Sequence, residues 1–345
     1  MTHSPTSSGD SGAASIQAPT VSSPARTTPP FQSRQDDVPA PQPGTIAFTS
    51  PPAASWRQRW FLFSPAARLV LFVLLMVGFG FVVHAVADGL GWSAKDAAPL
   101  QQALARLSLQ LIPAGLGYLI LVRWIERRRM RELDVRDIRT FGVGGLLLGF
   151  VLFSAVVGVL WLAGSYHVNG FNDHVNWAYG LLVAGIGAGI GEEIVMRGVL
   201  FRVIEEGMGT WWALVISAAF FGFAHAFNPG ATLWSSVAIM IEAGVLLALL
   251  YHVTRSLWAC IGLHAAWNIT QGLIYGVAVS GGHAEGWLDS TLTGPDWLSG
   301  GAFGAEASVV TVLMSLALSA YLLSRMLRRG SVVAPGWRRG SSRAA

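Results

Sequence analysis

Residues 141–163 form an apolar run of 23 residues without one charged side chain. Wound as a helix at 1.5 Å per residue, the run is about 34 Å long, enough to cross a hydrocarbon core about 30 Å thick. A helix that is apolar all round must be buried, either in a large core or in a membrane. Composition favours the membrane. Of the 345 residues, 52% are hydrophobic and 12% charged, with a mean hydropathy of +0.50, whereas a soluble domain carries about 25% charge. Forty glycines and fourteen tryptophans fit the same class, since Gly is frequent in membrane helices and Trp favours the interface. The expected fold class is therefore all-α: a polytopic membrane helix bundle of about eight transmembrane helices with a disordered N-terminal tail.

Residues 1–55 hold ten of the sixteen prolines and are rich in Ser, Thr, Ala and Gln. Such a segment buries too little apolar surface to offset its ordering entropy. It lacks the basic start and apolar stretch of a secretory signal peptide. Apolar blocks predict helices over 66–87, 101–124, 141–163, 177–206, 211–227, 233–253, 256–277 and 305–327. The expected organisation is two N-terminal spans with a basic connection (56–140), a core (141–277), an external loop (278–304), a last span (305–327) and a basic tail (328–345).

Arginine placement sets the expected orientation through the positive-inside rule. Arg57, Arg59 and Arg68 surround the start of the first helix, seven arginines from Arg123 to Arg139 follow the second, Arg202 lies late in the fourth, Arg255 separates the sixth from the seventh, and Arg325, Arg328 and Arg329 follow the eighth. The connections 88–100, 164–176, 228–232 and 278–304 hold one Lys and no Arg. Eight spans put every cluster on one face, with both termini cytoplasmic. The scattered net charge of +4 gives no reason to expect nucleic acid, and the single Cys260 excludes a disulfide framework.

Ionisable groups inside membrane helices are costly and mark functional sites. Here they are Glu192, Glu193, Arg197, His225, Glu242, His252 and His264, with Asn268 as a polar companion. A hairpin turning at 207–210 leaves Glu192 and His225 each about 21 Å from the turn. His264 lies about 13 Å along its helix from Arg255, so three helices bring polar groups to one depth, in the cytoplasmic half. His264 and Asn268 share a face at i, i+4, as do Glu193 and Arg197. The run GIGAGIG (185–191) gives two overlapping GxxxG spacings that permit close helix approach. Two histidines and a carboxylate, His225, His264 and Glu192, are the ligand set of a catalytic zinc with one position open for water. A second carboxylate can take and return a proton, and Asn268 can donate to an oxyanion. Glu242 and His252 have no partner motif and read as packing or substrate-path residues.

Three motifs run in order: EExxxR as Glu192-Glu193-Ile-Val-Met-Arg197, FxxxH as Phe221-Gly-Phe-Ala-His225 followed by Asn228-Pro229, and HxxxN as His264-Ala-Ala-Trp-Asn268. At these residues the chain resembles the CAAX-protease and bacteriocin-processing (CPBP, Abi) intramembrane endopeptidases, whose eukaryotic member is the type II CAAX prenyl endopeptidase. The resemblance covers about 140–275. It implies a membrane-bound endopeptidase, expected to be a metalloprotease, cutting a membrane-anchored protein or a leader peptide. Glu192 and His225 would activate water, His264 and Asn268 would complete the site, and Arg197 would hold the glutamates, with Phe221 in support. Both zinc and a metal-free, glutamate-activated water fit these residues. Gly-, Ala- and Arg-rich usage points to a bacterial inner membrane, and the expected partners are the lipid bilayer and a membrane-associated substrate.

Two other classes use the same features. Buried Glu, His and Asn also build proton pathways in transporters, though no inverted repeat is visible. A non-catalytic immunity or scaffold protein could share the fold.

Overall fold

The computed structural model describes residues 50–51, 53–282 and 285–339. The tail expected over 1–55 lies outside them except for its last few residues, and His283 also lies outside. Eight principal helices follow. Helix α1, Pro65–Gly89, is started by the Ser64 hydroxyl, which accepts from the Ala67 N–H, and by Pro65 in the first turn. Next come α2, Pro99–Ile125, α3, Ile138–Leu162, and α4, Tyr179–Met208. Helix α5 is Thr210–His225, and α6 is Leu233–Thr254. Helix α7, Leu257–Asn268, continues as Ile269–Ile274, and α8 is Val309–Arg328.

All eight expected segments are helical, but the count of eight spans is not reached. Among the described residues six helices, α1, α2, α3, α4, α6 and α8, are long and apolar enough to cross a membrane by length and composition. Helix α5 stops after 16 residues, about 24 Å, just before the Asn228-Pro229 turn. Helix α7 carries the polar side chains His264, Asn268, Thr270 and Gln271 along its length. On α1, side chains such as Val70, Leu74 and Phe81 are exposed, an apolar surface that suits a lipid environment.

The two ends of the bundle differ in chemistry. At one end the start of α1 and the ends of α2 and α4 are tied by ion pairs. Arg68 lies 2.9 Å from Glu126 and 2.8 Å from Glu206, Arg202 reaches Glu126 at 3.0 Å, and Arg128 reaches Glu132 at 2.6 Å. At this end Arg255 also pairs with Glu205, and Arg339 donates to the Glu206 carbonyl. The arginine clusters thus gather at one end, as their spacing predicts. Burial raises the free energy of the ionised Glu126 and Glu132, yet Arg202, Arg68 and Arg128 outweigh it at Glu126, and Arg128 and Arg202 at Glu132, holding both carboxyls at about 2.

At the other end, two connections expected to be loops form a ribbon, so the fold is not purely α. Strand β1, Tyr166–Phe171, pairs antiparallel with β2, Leu288–Leu292, matching Tyr166 to Leu292 and Phe171 to Leu288. Pairing the strands satisfies backbone groups that two separate loops would leave to solvent.

Close helix approach fixes the interior. A Cβ at Gly145 of α3 would stand 2.3 Å from the Ala259 carbonyl oxygen of α7. The GIGAGIG run seats α4 on two helices. Added Cβ atoms at Gly185 and Gly189 would meet Ile269 and Ala265 of α7, and those at Gly187 and Gly191 would meet Gln110 of α2. Alternate glycines at i, i+4 thus serve opposite faces, one GxxxG spacing per neighbour.

Candidate active site

Helix α4 brings Glu192 and Glu193 to the middle of the bundle on a single α-helical stretch, Ala188–Glu193. On both sides of it the helix widens to i→i+5 hydrogen bonding, a distortion that recurs at functional sites. Glu193 is fully buried, and its Oε1 accepts from Arg197 at 2.8 Å, the i, i+4 pair the sequence predicts. Arg197 also donates to the Ala243 and Gly244 carbonyl oxygens of α6 at 2.6 and 3.2 Å. The guanidinium therefore joins α4 to α6 as well as neutralising Glu193.

The same Glu193 oxygen receives the Nδ1–H of His264 at 2.9 Å. This bond turns the imidazole so that its Nε2 faces Glu192 Oε2 at 3.9 Å, beyond direct hydrogen-bond length. Unlike Glu193, Glu192 keeps 38% of its side chain exposed. The two adjacent carboxylates thus have separate roles, one clamped and one open.

His225, at the end of α5, places its Nδ1 2.8 Å from the Phe221 carbonyl oxygen. A carbonyl only accepts, so Nδ1 carries a proton, and in the neutral ring Nε2 keeps a lone pair. The Phe221 ring packs against both imidazoles, 4.6 Å from that of His225 and 6.3 Å, edge-on, from that of His264. Arg197 covers the same ring at 5.1 Å. Asn268 lies on the His264 face and donates to the Ala184 carbonyl of α4 at 2.8 Å, which leaves its second N–H unassigned to that bond.

Phe221, His225, His264 and Asn268 line a partly open cleft. Glu192 is not part of the lining and stands 3.9 Å from the His264 Nε2. Glu192, Glu193, Arg197, Phe221, His264 and Asn268 are therefore gathered, and His225 joins them through the Phe221 ring. The expected zinc set is not gathered around one point: among the described residues no group of three or more His, Cys, Asp or Glu side chains is placed to hold one ion. The ring orientations themselves are compatible with zinc, since His225 and His264 each use Nδ1 for a carbonyl or carboxylate partner and keep Nε2 available, as metal-bound histidines do.

His252 lies apart from the cleft. Its ring contacts Glu205 at 2.9 Å and Ser331 at 3.0 Å, and Glu205 also accepts from Thr210 at 2.8 Å. It fastens the chain after α8 onto the turn between α4 and α5. Glu242, by contrast, lines the cleft. So do Ser280 and Glu306, which the motifs do not mark. The signal for Glu306 is a carboxylate inside the expected span 305–327. Ser280 carries no signal, since only the fold of the connection after α7 brings it to the cleft.

Comparison with known proteins bears on the three motifs together. No curated protein and no solved structure matches the chain. Residues 174–270, which include all three motifs, match the family model described as type II CAAX prenyl endopeptidase Rce1-like. This stretch, from just before α4 to Thr270 in the continuation of α7, is a domain of the CAAX-protease family.

Proposed function

We propose that the protein is an intramembrane endopeptidase that hydrolyses a peptide bond of a membrane-associated protein or peptide, with water activated by Glu192. The carrying observation is the division of labour at the glutamate pair. Glu193 is neutralised by Arg197 and clamps His264, whereas Glu192 is open beside the free Nε2 of that histidine. The Rce1-like match over 174–270 supports the reaction class.

In this reading a water lies between Glu192 and the scissile carbonyl. Glu192 takes its proton, and the oxygen adds to the carbonyl carbon. His225 Nε2, left with a lone pair, accepts the second water hydrogen and fixes its orientation. The free N–H of Asn268 donates to the oxyanion. The C–N bond then breaks, and Glu192 returns the proton to the leaving amine. The products are a carboxylic acid and an amine, which ionise to carboxylate and ammonium. This route is metal-free; zinc held by Glu192, His225 and His264 is the alternative, and chelation separates the two.

Arginine placement, and the ionic cluster that collects it at one end, support cytoplasmic termini; Gly-, Ala- and Arg-rich usage supports a bacterial inner membrane, and the three motifs support a catalytic core over 141–277. The test is cleavage of a library of membrane-anchored peptides by the protein in nanodiscs, followed by mass spectrometry. Glu192→Gln keeps the volume and an acceptor oxygen but loses the base. It is expected to be folded and inactive, and full activity of this variant would falsify the assignment.

A further inference from the structure

The cleft holds a second pair of carboxylates that the proposed chemistry does not use. Glu242, on α6, and Glu306, just before α8, both line it and interact electrostatically with each other. Both are buried, at 5% and 3% exposure. Glu306 is anchored, because the Ser280 N–H donates to its Oε2. Glu242 is not: its Oε2 is buried and, among the described residues, has no hydrogen-bond partner. An unpartnered carboxylate oxygen in a low-dielectric cleft is costly unless something joins it there.

The rest of the lining defines that occupant. Ile239, Leu246, Leu247, Leu263 and Trp267 form apolar walls beside the two carboxylates, on the same cleft as His264 and Asn268. Apolar walls ending in two acids fit a group with an aliphatic stem and a cationic tip. Lys and Arg side chains have this form, burying their methylenes while the charge finds a polar partner. The two acids belong to different elements, and among the described residues no third acid, His or Cys stands close enough to make a metal site.

We infer that Glu242 and Glu306 form a specificity subsite for a Lys or Arg side chain of the polypeptide cleaved at the neighbouring Glu192 centre, an inference that rests on the endopeptidase reading. The stem lies against Leu246, Leu247 and Leu263, and the ammonium or guanidinium sits between Glu242 Oε2 and the Glu306 carboxylate. Substrates lacking a basic residue near the cut leave Glu242 Oε2 without a partner, and leave Glu306 only the Ser280 N–H and the nearby His264.

The experiment compares pairs of membrane-anchored peptides that differ only by lysine or norleucine at each position around the cut. In the wild-type protein, kcat/KM for one lysine peptide is expected to exceed that of its norleucine partner by about tenfold or more, mainly through KM. Glu242→Gln and Glu306→Gln should each bring that ratio toward one. Because the ratio is taken within one variant, a loss of folded protein cancels. Equal turnover of every lysine and norleucine pair by the wild type, or an unchanged ratio in both variants, overturns the subsite. Binding of the same labelled peptides to the Glu192→Gln protein, followed by fluorescence anisotropy, separates this inference from the peptidase reading. A lysine preference in binding that disappears in the Glu192→Gln, Glu242→Gln double variant, with no cleavage of any peptide by wild type, keeps the subsite and removes the protease. Cleavage by wild type with no lysine preference in binding or turnover does the reverse.

Discussion

His264 Nδ1 lies 2.9 Å from Glu193 Oε1, the same oxygen that Arg197 holds at 2.8 Å. One buried carboxylate therefore fixes the tautomer and the aim of the histidine that faces Glu192. Glu193 acts on the reaction through His264, as a positioning residue. Glu193→Gln is expected to lower kcat by about 10–100-fold, the usual effect of losing such an outer partner, with KM little changed. Steady-state kinetics on one cleavable peptide checks this, and a change confined to KM would contradict it.

The remaining site residues should rank by their contacts. His264→Ala and His225→Ala are expected to be about as inactive as Glu192→Gln, because a site assembled as a unit fails when any member is removed. Asn268→Ala should be milder, losing about 10²–10³ in kcat as one oxyanion donor does. Under the metal-free route, activity survives prolonged chelation. Loss in chelator with recovery on adding zinc would restore the metal route.

The ionic cluster at the arginine-rich end predicts a direction of acid sensitivity. Glu126 and Glu132 are held at about 2, below the ordinary 4.5, by Arg202, Arg68 and Arg128 acting against burial. A depressed carboxyl contributes stability above its unfolded pKa and loses it as pH falls toward the folded one. Thermal stability in detergent should therefore decline between pH 4.5 and about 2, and this part of the decline should flatten in Glu126→Gln. At neutral pH that variant leaves Arg68 and Arg202 less compensated and is expected to cost about 3–5 kcal/mol. A melting temperature at pH 7 equal to that of wild type would contradict the role given to the cluster.

Gly189 sets the distance between the glutamate helix and the histidine helix. A Cβ there would stand 2.8 Å from the Ala265 Cβ and 2.9 Å from its backbone nitrogen, next to His264. Gly189→Ala should insert in the membrane yet lose most activity by pushing α7 from α4, with a stability cost of about 1–3 kcal/mol. Gly158, whose added Cβ meets nothing within 4 Å, is the control, and Gly158→Ala should behave as wild type. Equal activity in both variants would remove the packing argument.

Reporter fusions at 95, 170, 230 and 290 are expected to read as external, since the connections they probe lack arginine. Short α5 and polar α7 make 230 and 290 the informative sites. A cytoplasmic readout at 290 would mean that α7 or α8 does not cross, or that the order is reversed.

Much was legible in the sequence because it depends on local chemistry. Apolar runs specify the helices, and the arginines collect at one end because alternating spans leave them no other place. The i, i+4 spacing of Glu193 and Arg197 specifies their pair, and the overlapping GxxxG spacings mark α4 as the helix that others approach. Three motifs on three helices named the residues around the cleft. What the sequence by itself could not decide depends on which surfaces meet. Identical one-letter carboxylates at 192 and 193 differ only because successive helical positions point about 100° apart, so one enters the core and the other stays partly exposed beside His264. The hydrogen bonds at His225 and His264, which commit each Nδ1 and leave each Nε2 available, follow from ring orientation that spacing does not encode. Ser280 and Glu306 reach the cleft only because the chain after α7 folds back over it, and the pairing of β1 with β2 joins residues more than a hundred positions apart. Such contacts are long-range, and the free energy that selects them comes from packing and charge neutralisation in the assembled bundle, not from any local stretch of chain.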